Sequence, residues 1–391
     1  SSAASDVYKR QIFFWVARMI MAGYEYRGEK PFGHVYFTGI VRDKIGRKMS
    51  KQLGNSPDPL DLIAQFGADG MRVAMLLSSS AGNDVMFDEA LCEQGRNFGN
   101  KIWNAYRLVN GWTIDDALAQ SENNRLAIEW FRQALAKTLR QVESDFASYR
   151  ISEAFMNLYK LFWDDFSGWY LEMIKPAYQC PIDRPTLEAT CGFFDDLLRL
   201  LHPFMPFVTE EIWQVLTGGE SMIIVESYPV YDAKYDYADA AQFEKVIDAI
   251  RAIRNRRTEM QVPPSKKARV CIETTEPELY RSTAVFFEKL ASASAVEVGE
   301  KFEMPDAATA VTDSVRIFIP MDELIDKDKE LARLKKEQEK VQKDLDFLSK
   351  KLSNQGFLAK APEKLVEAEK AKLAKAQEKM DKIMQSMAAL Q

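Results

Sequence analysis

The 391-residue sequence contains few cysteines and histidines, which limits the metal and redox chemistry that it can support. Only two histidines accompany its four widely separated cysteines, which are Cys92, Cys180, Cys191 and Cys271. With no C-x-x-C pair, this spacing excludes both a zinc site and a disulfide framework. So few thiols are typical of a reducing compartment, and we expect a cytoplasmic protein that binds no zinc.

Long apolar runs and a secretory signal are also missing. The longest apolar stretch near the start, residues 12–17, is too short to cross a bilayer. This excludes a membrane-spanning segment there, and we expect no membrane partner. Residues 1–11 lack the apolar core of a signal peptide and resemble a cloning or assembly scar. We therefore expect residues 1–11 to be non-native and the chain to begin inside a larger protein.

Charge is distributed unevenly along the chain. The sequence has 52 Lys and Arg against 58 Asp and Glu, a net charge of −6. Residues 326–391 contain 16 basic and 12 acidic side chains, so they carry +4 and the part before them carries −10. A basic tail on an acidic body indicates an anionic partner for the tail.

The first region, residues 12–85, has the order of elements found at the end of an α/β layer. Its apolar run 12–21 predicts a buried helix, and the β-branched and aromatic run 34–41 predicts a strand. A polar loop follows, and then Asp58 and Pro59 provide the cap and the first residue of another helix.

Three further regions follow. Residues 86–124 predict a helical connection, and residues 125–265 predict a helical bundle because large apolar residues recur three and four apart. The bundle ends in an amphipathic helix over 239–257. Residues 266–322 mix short strand-like runs with one helix and predict a small α+β unit.

The last region, residues 323–391, contains two heptad seams. The first is formed by Leu331, Leu334, Gln338, Val341, Leu345, Leu348 and Leu352, and the second by Val366, Leu373, Ala376, Met380, Ile383, Met387 and Leu390. A loop over 353–362 separates them. Two such helices predict a C-terminal antiparallel coiled-coil hairpin.

A glycine-flanked basic loop carries the chemistry that the sequence suggests most clearly. Lys48 and Lys51 lie between Gly46 and Gly54, after the predicted strand and before the capped helix. Paired ammonium groups on a loop that can close would neutralise a polyphosphate and assist the departure of pyrophosphate. A solvated basic loop is an equally good interpretation of these residues alone.

The surroundings of this loop resemble class I aminoacyl-tRNA synthetases, and the ordered motifs resemble valyl-tRNA synthetases in particular. The matching motifs are residues 13–20, 39–43, 48–51, 100–104, 202–207, 262–267 and 354–362. The resemblance covers nearly everything after residue 11. It implies a multidomain protein with the end of a class I Rossmann-like catalytic domain, an α-helical anticodon-binding bundle, a small α+β unit and a coiled-coil tRNA-binding arm.

The same resemblance implies site residues and cofactors. ATP with Mg²⁺ would be bound by the signature loop, which is formed by Lys48, Met49, Ser50, Lys51 and Gln52, with Lys48 and Lys51 as the catalytic pair. Gln52 departs from the usual terminal serine, and Thr38 stands where some relatives have a histidine. Trp15 would line the valine pocket, although residue type alone favours a core position for it.

Two basic groups would contact tRNA on this resemblance. The first, at the end of the bundle's last helix, is Arg251, Arg254, Arg256 and Arg257; the second, on the arm, is Lys335, Lys336, Lys343, Lys350 and Lys351. A solvated helix end explains the arginines equally well. Ordinary coiled-coil flanks are the alternative for the lysines.

The resemblance implies ATP-dependent ligation of valine to tRNA(Val) by a monomeric parent enzyme, through valyl-adenylate. We expect the chain to be its C-terminal part, without the first half of the catalytic domain or an editing domain, and to form no valyl-adenylate alone. Valine-dependent pyrophosphate exchange by the purified chain would contradict this expectation. A stand-alone tRNA-binding module, a coiled-coil interaction protein and an isoleucyl-tRNA synthetase fragment are the alternatives.

Overall fold

The computed structural model describes residues 7–37, 39–79, 83–233, 240–324 and 327–353, together with 372, 373, 376, 377, 380 and 384. The chain divides into two compact units, Ser1–Glu244 and Lys245–Gln391. No helix in the described part is long and apolar enough to span a bilayer.

Helices dominate the described residues. A π-helical stretch over Val7–Val16 continues into the first α-helix, and a second lies at Leu161–Tyr170. The α-helices are α1 Ala17–Arg27, α2 Pro59–Phe66, α3 Ala68–Ser78, α4 Glu89–Asn110, α5 Glu122–Ala147, α6 Ile151–Lys160, α7 Leu171–Ile174, α8 Arg184–Leu201, α9 Pro206–Leu216, α10 Ala240–Glu259, α11 Pro277–Ser282, α12 Ala284–Leu290, α13 Met321–Leu324 and α14 Lys327–Ser353.

Six strands form two sheets within the described residues. They are β1 Val41–Arg42, β2 Val85–Met86, β3 Ala268–Glu273, β4 Ala293–Gly299, β5 Ala307–Val311 and β6 Arg316–Pro320. In the first unit β1 pairs with β2 in parallel. In the second unit the strand order is β4-β3-β6-β5, with β3 parallel to β4 and antiparallel to β6.

The first helix is correctly predicted, but its predicted burial is wrong. Phe13 and Trp15 each expose 62% of their surface, and Met21 exposes 71%. A helix that is apolar on every side favours burial, but burial also requires neighbouring elements, and the apolar run itself does not specify them.

The predicted strand over 34–41 is also wrong over most of its length. Only Val41 at its end joins a strand, since β2 offers only two residues for pairing. The segment before it is held by side chains instead. The rings of His34 and Tyr36 lie 5.6 Å and 6.4 Å from that of Tyr149, in the turn that follows α5.

The helix after the basic loop begins as predicted. Asp58 caps α2 by accepting a 2.9 Å hydrogen bond from the amide of Leu60, and Pro59 is the first helical residue. Leu62 and Phe66 then enter a small core with Ala74, Phe87 and Cys92. Met49 of the basic loop packs against this core.

The predicted helical bundle is confirmed, and its centre is aromatic. Phe131 of α5 lies 5.1 Å from Tyr170 and 4.9 Å from Phe193 of α8, measured between ring centroids. All three side chains are buried. Such clusters stabilise a bundle through both apolar burial and ring geometry.

The small α+β unit is confirmed as well. The strands and the helix predicted within 266–322 correspond to β3, β6 and α12, and α11, β4 and β5 complete the unit. The amphipathic helix predicted over 239–257 is α10, although the proposed cap Asp239 lies outside the described residues.

The first heptad seam lies on α14. Val341 and Leu345 are buried together with Met380 of the second seam, and Leu373 and Ala376 pack against this cluster. The intervening loop and most of the second seam lie outside the described residues.

Candidate functional site

The basic loop leaves β1 through a tight turn organised by Asp43. The Asp43 carboxylate accepts hydrogen bonds from the amide of Arg47 at 2.8 Å and from the amide of Ile45 at 3.2 Å. The Arg47 guanidinium binds the same carboxylate at 2.8 Å. Gly46 takes a positive φ of 81° here, a conformation that glycine adopts without strain.

Asn55 closes the loop at its other end. Its amide nitrogen donates to the Asp43 carboxylate at 3.0 Å and to the carbonyl of Lys48 at 3.3 Å. Its amide oxygen accepts from the backbone amide of Ser50 at 2.9 Å. A single side chain therefore connects the start, the middle and the end of the loop.

These bonds affect the ionisation of Asp43. The hydrogen bond from Asn55 and those from Arg47 stabilise the carboxylate and lower the pKa of Asp43 to about 2. The carboxylate is therefore charged at neutral pH and remains an acceptor for all of these donors.

The central residues of the loop form a short 3₁₀ turn, Lys51–Leu53. The Ser50 hydroxyl oxygen caps it by accepting from the amide of Leu53 at 3.2 Å, and Gly54 ends it with a φ of 64°. Capping leaves Lys51 and Gln52 exposed on the outer side of the turn. Gln52, which stands in place of the usual terminal serine, lies within this turn.

Met49 fixes the loop to the core below it. Its side chain packs against the cluster that contains Leu62, Phe66 and Phe87. Lys48 and Lys51, on either side, are exposed. This alternation directs one apolar side chain inward and two ammonium groups outward, an arrangement that can place positive charge on a polyphosphate.

Trp15 is largely exposed rather than enclosed in a pocket. Together with Phe14, Arg18, Met19 and Ala22 it lines an open concavity of about 560 Å³ on the first helix. Trp15 and the signature loop lie on separate elements, and the described residues give no contact between them.

The four arginines of α10 differ in their surroundings. Arg257 is buried, and its guanidinium donates to the carbonyls of Pro263 and Lys266. Arg254 donates to the carbonyl of Leu290 at 2.6 Å. Both side chains therefore brace the backbone of the second unit.

The remaining two arginines face outward. Arg251 forms an ion pair with Asp248, and Arg256 forms one with Glu259 at 3.1 Å. About half of each arginine side chain is exposed, at 52% for Arg251 and 42% for Arg256. Their charge is accessible to an anionic partner, although it is shared with a neighbouring carboxylate.

The lysines of the arm lie mainly in solvent. Lys335, Lys343 and Lys350 are exposed, whereas Lys351 is partly buried. The side chain of Lys336 lies outside what is described. Lys343 and Lys350 are seven residues apart, so they lie on the same face of α14.

The sequence did not predict a set of hydrogen bonds between α3 and the start of α9. Asp69 of α3 accepts from the first amides of α9, at 3.3 Å from Phe207 and 2.7 Å from Val208. One turn further along α3, Arg72 donates to the carbonyls of Phe204 and Pro203 at 3.0 Å and 2.9 Å. Burial raises the pKa of Asp69, and these amide bonds oppose that shift. Helix α3 therefore holds both sides of the turn that begins α9.

Three family models match the chain, in an order that follows the regions above. Residues 5–88 match the model described as tRNA synthetases class I (I, L, M and V). Residues 129–272 match the anticodon-binding domain of tRNA ligase, and residues 326–391 match the valyl tRNA synthetase tRNA binding arm. The arm model favours the valyl resemblance over the isoleucyl alternative.

Curated relatives give the same result. The chain is 52% identical to a valine–tRNA ligase of Parabacteroides distasonis, 49% to one of Phocaeicola vulgatus and 40% to one of Clostridium acetobutylicum. Each comparison covers 97% of this chain and 43–44% of the relative, so the chain spans less than half the length of these proteins. With 97% of its residues aligned and three family models matched in order, the chain belongs to the valine–tRNA ligase family.

Proposed function

We propose that this chain takes part in the ATP-dependent ligation of valine to tRNA(Val), as the part of the enzyme that carries the signature loop and the tRNA-binding regions. The observation that supports this most strongly is the identity of 52% over nearly the whole chain to a valine–tRNA ligase. The organised loop around Asn55 adds a physical reason, because its two exposed lysines suit a polyphosphate.

In the proposed reaction the loop residues have distinct roles. Lys48 and Lys51 would bind the phosphates of ATP and stabilise the negative charge that develops on pyrophosphate as the valine carboxylate displaces it from the α-phosphate of ATP and valyl-adenylate forms. Mg²⁺ would enter with ATP on its phosphate oxygens. Ser50 would hold the 3₁₀ turn through its cap, and Met49 would anchor it. Trp15 would belong to the valine pocket, as the family resemblance implies.

The proposed nucleic-acid partner is tRNA(Val). We propose that the two heptad seams form an antiparallel coiled-coil arm, since Val341 and Leu345 share a buried cluster with Met380. The exposed lysines of α14 would then contact phosphates, and Arg251 and Arg256 would provide a second basic contact. We further propose a monomeric, cytoplasmic enzyme.

Binding of tRNA(Val) by the chain over a salt series tests this proposal. We expect the affinity to fall steeply with salt, because phosphate neutralisation releases counterions. Replacing Lys335, Lys343 and Lys350 by alanine should weaken binding and reduce the magnitude of the salt slope by roughly three, about one for each phosphate contact. The three substitutions lie on exposed positions and leave the buried seam intact.

A matched control uses acidic residues of the same helix. Glu339 and Asp346 are exposed on α14, and their replacement by alanine should leave tRNA binding unchanged or tighten it. If the triple lysine variant binds with an unchanged salt slope, the arm does not contact phosphates. If the unmodified chain does not bind tRNA(Val) at all, the proposed tRNA-binding role of this chain is wrong.

A further inference from the structure

The turn between α5 and α6, residues 148–150, has a strained backbone. It closes α5 with the two hydrogen bonds of a Schellman motif. The amide of Tyr149 donates to the carbonyl of Phe146 at 3.0 Å, and the next amide, of Arg150, donates to the carbonyl of Asp145 at 2.7 Å. Tyr149 occupies the left-handed position of this motif, with a φ of 58°. Glycine usually stands there because it has no Cβ atom, whereas a bulky residue is a conformational outlier.

A buried carboxylate holds this turn from inside the bundle. The Asp145 side chain is only 3% exposed and accepts hydrogen bonds from Gln141 of α5 and from Asn157 of α6, at 2.9 Å each. It therefore ties the end of α5 to the following helix. Backbone strain persists only where the surrounding structure enforces it, and such strain is concentrated at positions with a role beyond packing.

The turn presents the ring of Tyr149 to the segment that leads into β1. The rings of His34 and Tyr36 are tilted by 44° and 40° against it, at the centroid distances given above. Residues 29–37 make no hydrogen bond to any other described residue, so this segment depends on packing contacts such as these.

The start of α6 contacts a second part of the chain. Ser152, in the first turn of α6, donates through its hydroxyl to the carbonyl of Ser79. Ser79 follows the last residue of α3 and precedes β2 in sequence. The bundle thus contacts the chain shortly before each of the two strands at the base of the signature loop.

These two strands need support from outside. Each has two residues, and the hydrogen bonds between them run from the amides of Val85 and Phe87 to the carbonyls of Ile40 and Arg42, at 3.0 Å and 2.9 Å. An isolated pair of strands is marginally stable at best and requires packing against another element.

We propose that Tyr149 is a positioning residue for the signature loop. Its ring holds the approach to β1, and the pairing of β1 with β2 then fixes the base that the loop leaves at Asp43. Glycine would relieve the strain of the turn, but it would remove the ring on which His34 and Tyr36 pack. The inference rests on the proposed function only in assigning the supported loop to ATP.

Hydrogen exchange of the Val85 and Phe87 amides tests this inference on the full chain. Both amides donate to β1, so their exchange requires the two strands to separate. We expect exchange to be about tenfold faster in Tyr149→Gly and in Tyr149→Asn, since the loss of two aromatic contacts shifts a local equilibrium by about that factor. Glycine and asparagine both accept a positive φ, so we expect the amides of α8 to exchange as in the parent chain.

Two further variants separate the ring from the strain. Tyr149→Phe keeps the ring, and the hydroxyl that it removes has no hydrogen-bond partner among the described residues, so exchange should be that of the parent chain. Gln179→Gly is the matched control. Gln179 is an exposed loop residue of the same unit with a φ of 60°, and its replacement relieves the same kind of strain without removing a ring. We expect it to leave the exchange of Val85 and Phe87 unchanged.

The histidines give a spectroscopic readout of the same contact. The sequence contains only two, His34 and His202, so their imidazole signals are easily told apart. In Tyr149→Gly the His34 signals should move because the ring current of the tyrosine is lost. His202 forms its hydrogen bond with Thr209 instead, and we expect its signals to stay in place.

Three results would overturn the proposal. They are parent-like exchange of Val85 and Phe87 in both Tyr149→Gly and Tyr149→Asn, equally fast exchange in Tyr149→Phe, and an equal acceleration throughout α8, which would show general destabilisation. The outcome is distinguishable from that of the tRNA experiment. If the chain binds tRNA(Val) but exchange does not respond, the positioning role is wrong and the proposed function stands. If exchange responds as expected but tRNA(Val) does not bind, the positioning role stands and the proposed tRNA-binding role is wrong.

Discussion

Replacing Asn55 by alanine should release the signature loop without unfolding the protein around it. The side chain makes two hydrogen bonds to the loop backbone, one from its amide nitrogen to the Lys48 carbonyl at 3.3 Å and one to its amide oxygen from the Ser50 amide at 2.9 Å. At about 1 kcal/mol for each such bond, their loss costs about 2 kcal/mol of local stability. That corresponds to an increase of about 30-fold in the fraction of open loop.

Trypsin measures this opening directly. Lys48 and Lys51 are exposed in the loop, so cleavage after them reports how often the surrounding backbone leaves its hydrogen-bonded conformation. When opening and closing are fast, the cleavage rate follows the open population. We therefore expect cleavage of Asn55→Ala at these two sites to be about 30-fold faster than in the parent chain.

A second readout follows from Asp43. The hydrogen bond from Asn55 is the largest cause that lowers its pKa to about 2. In Asn55→Ala an NMR titration of the Asp43 carboxyl carbon should show this pKa moving upward, towards the ordinary value of 3.8. Because the folded pKa is the lower one, the contribution of the carboxylate to loop stability is present above about pH 4 and disappears as the pH falls towards 2.

Gln52→Ala is the matched control for both measurements. Gln52 is an exposed neighbour in the same loop, and we expect its replacement to leave the cleavage rate and the Asp43 pKa unchanged. Parent-like cleavage in Asn55→Ala would refute the assignment of Asn55 as the residue that fixes the loop. A large decrease in global stability would refute the local character of its role.

Three further substitutions have expected effects on urea unfolding. Asp69→Ala should lower the free energy of unfolding by about 1 kcal/mol, because two amides at the start of α9 lose their acceptor, whereas the exposed Asp61→Ala should have a smaller effect. Arg257→Met should cost about 2 kcal/mol because the two hydrogen bonds from the buried guanidinium to backbone carbonyls are lost, and Arg251→Ala should stay within about 0.5 kcal/mol. Trp15→Ala should change the stability of this chain by no more than about 0.5 kcal/mol, since the indole is 62% exposed, and a larger loss would contradict the observed exposure.

Local signals in the sequence predicted the elements whose cause is local. The cap and proline that begin α2, the helical spacing of the bundle and the heptads of α14 depend on residues a few positions apart, and the structure confirms these helices. The strand predicted over 34–41 failed because a strand also requires a partner, and β2 supplies only two residues. The predicted burial of the first helix was wrong for a related reason, since an apolar run does not specify which elements cover it.

The candidate site shows the same division. The sequence identified Lys48 and Lys51 from their type and spacing, but it did not identify Asn55, which acts through bonds to residues 5, 7 and 12 positions away. The Gly54-Asn55 pair is typical of a turn, and this is the only local sequence feature that points to Asn55. No local sequence feature points to Asp69 or Arg72, because their hydrogen-bond partners lie more than 130 residues away along the chain.

The positions of the anchors indicate which part of the signature loop can move. At the far end Asp58 is fixed as the cap of α2, whose Leu62 and Phe66 are buried, so this helix cannot follow a closing loop without exposing its core. At the near end Asp43 holds the turn that leaves β1. Between these anchors Gly46 and Gly54 already have positive φ angles and can change conformation at low cost. Closure over a phosphate ligand would therefore be confined to this short segment, and it would have to break the bonds of Asn55 while α2 and α3 remain in place.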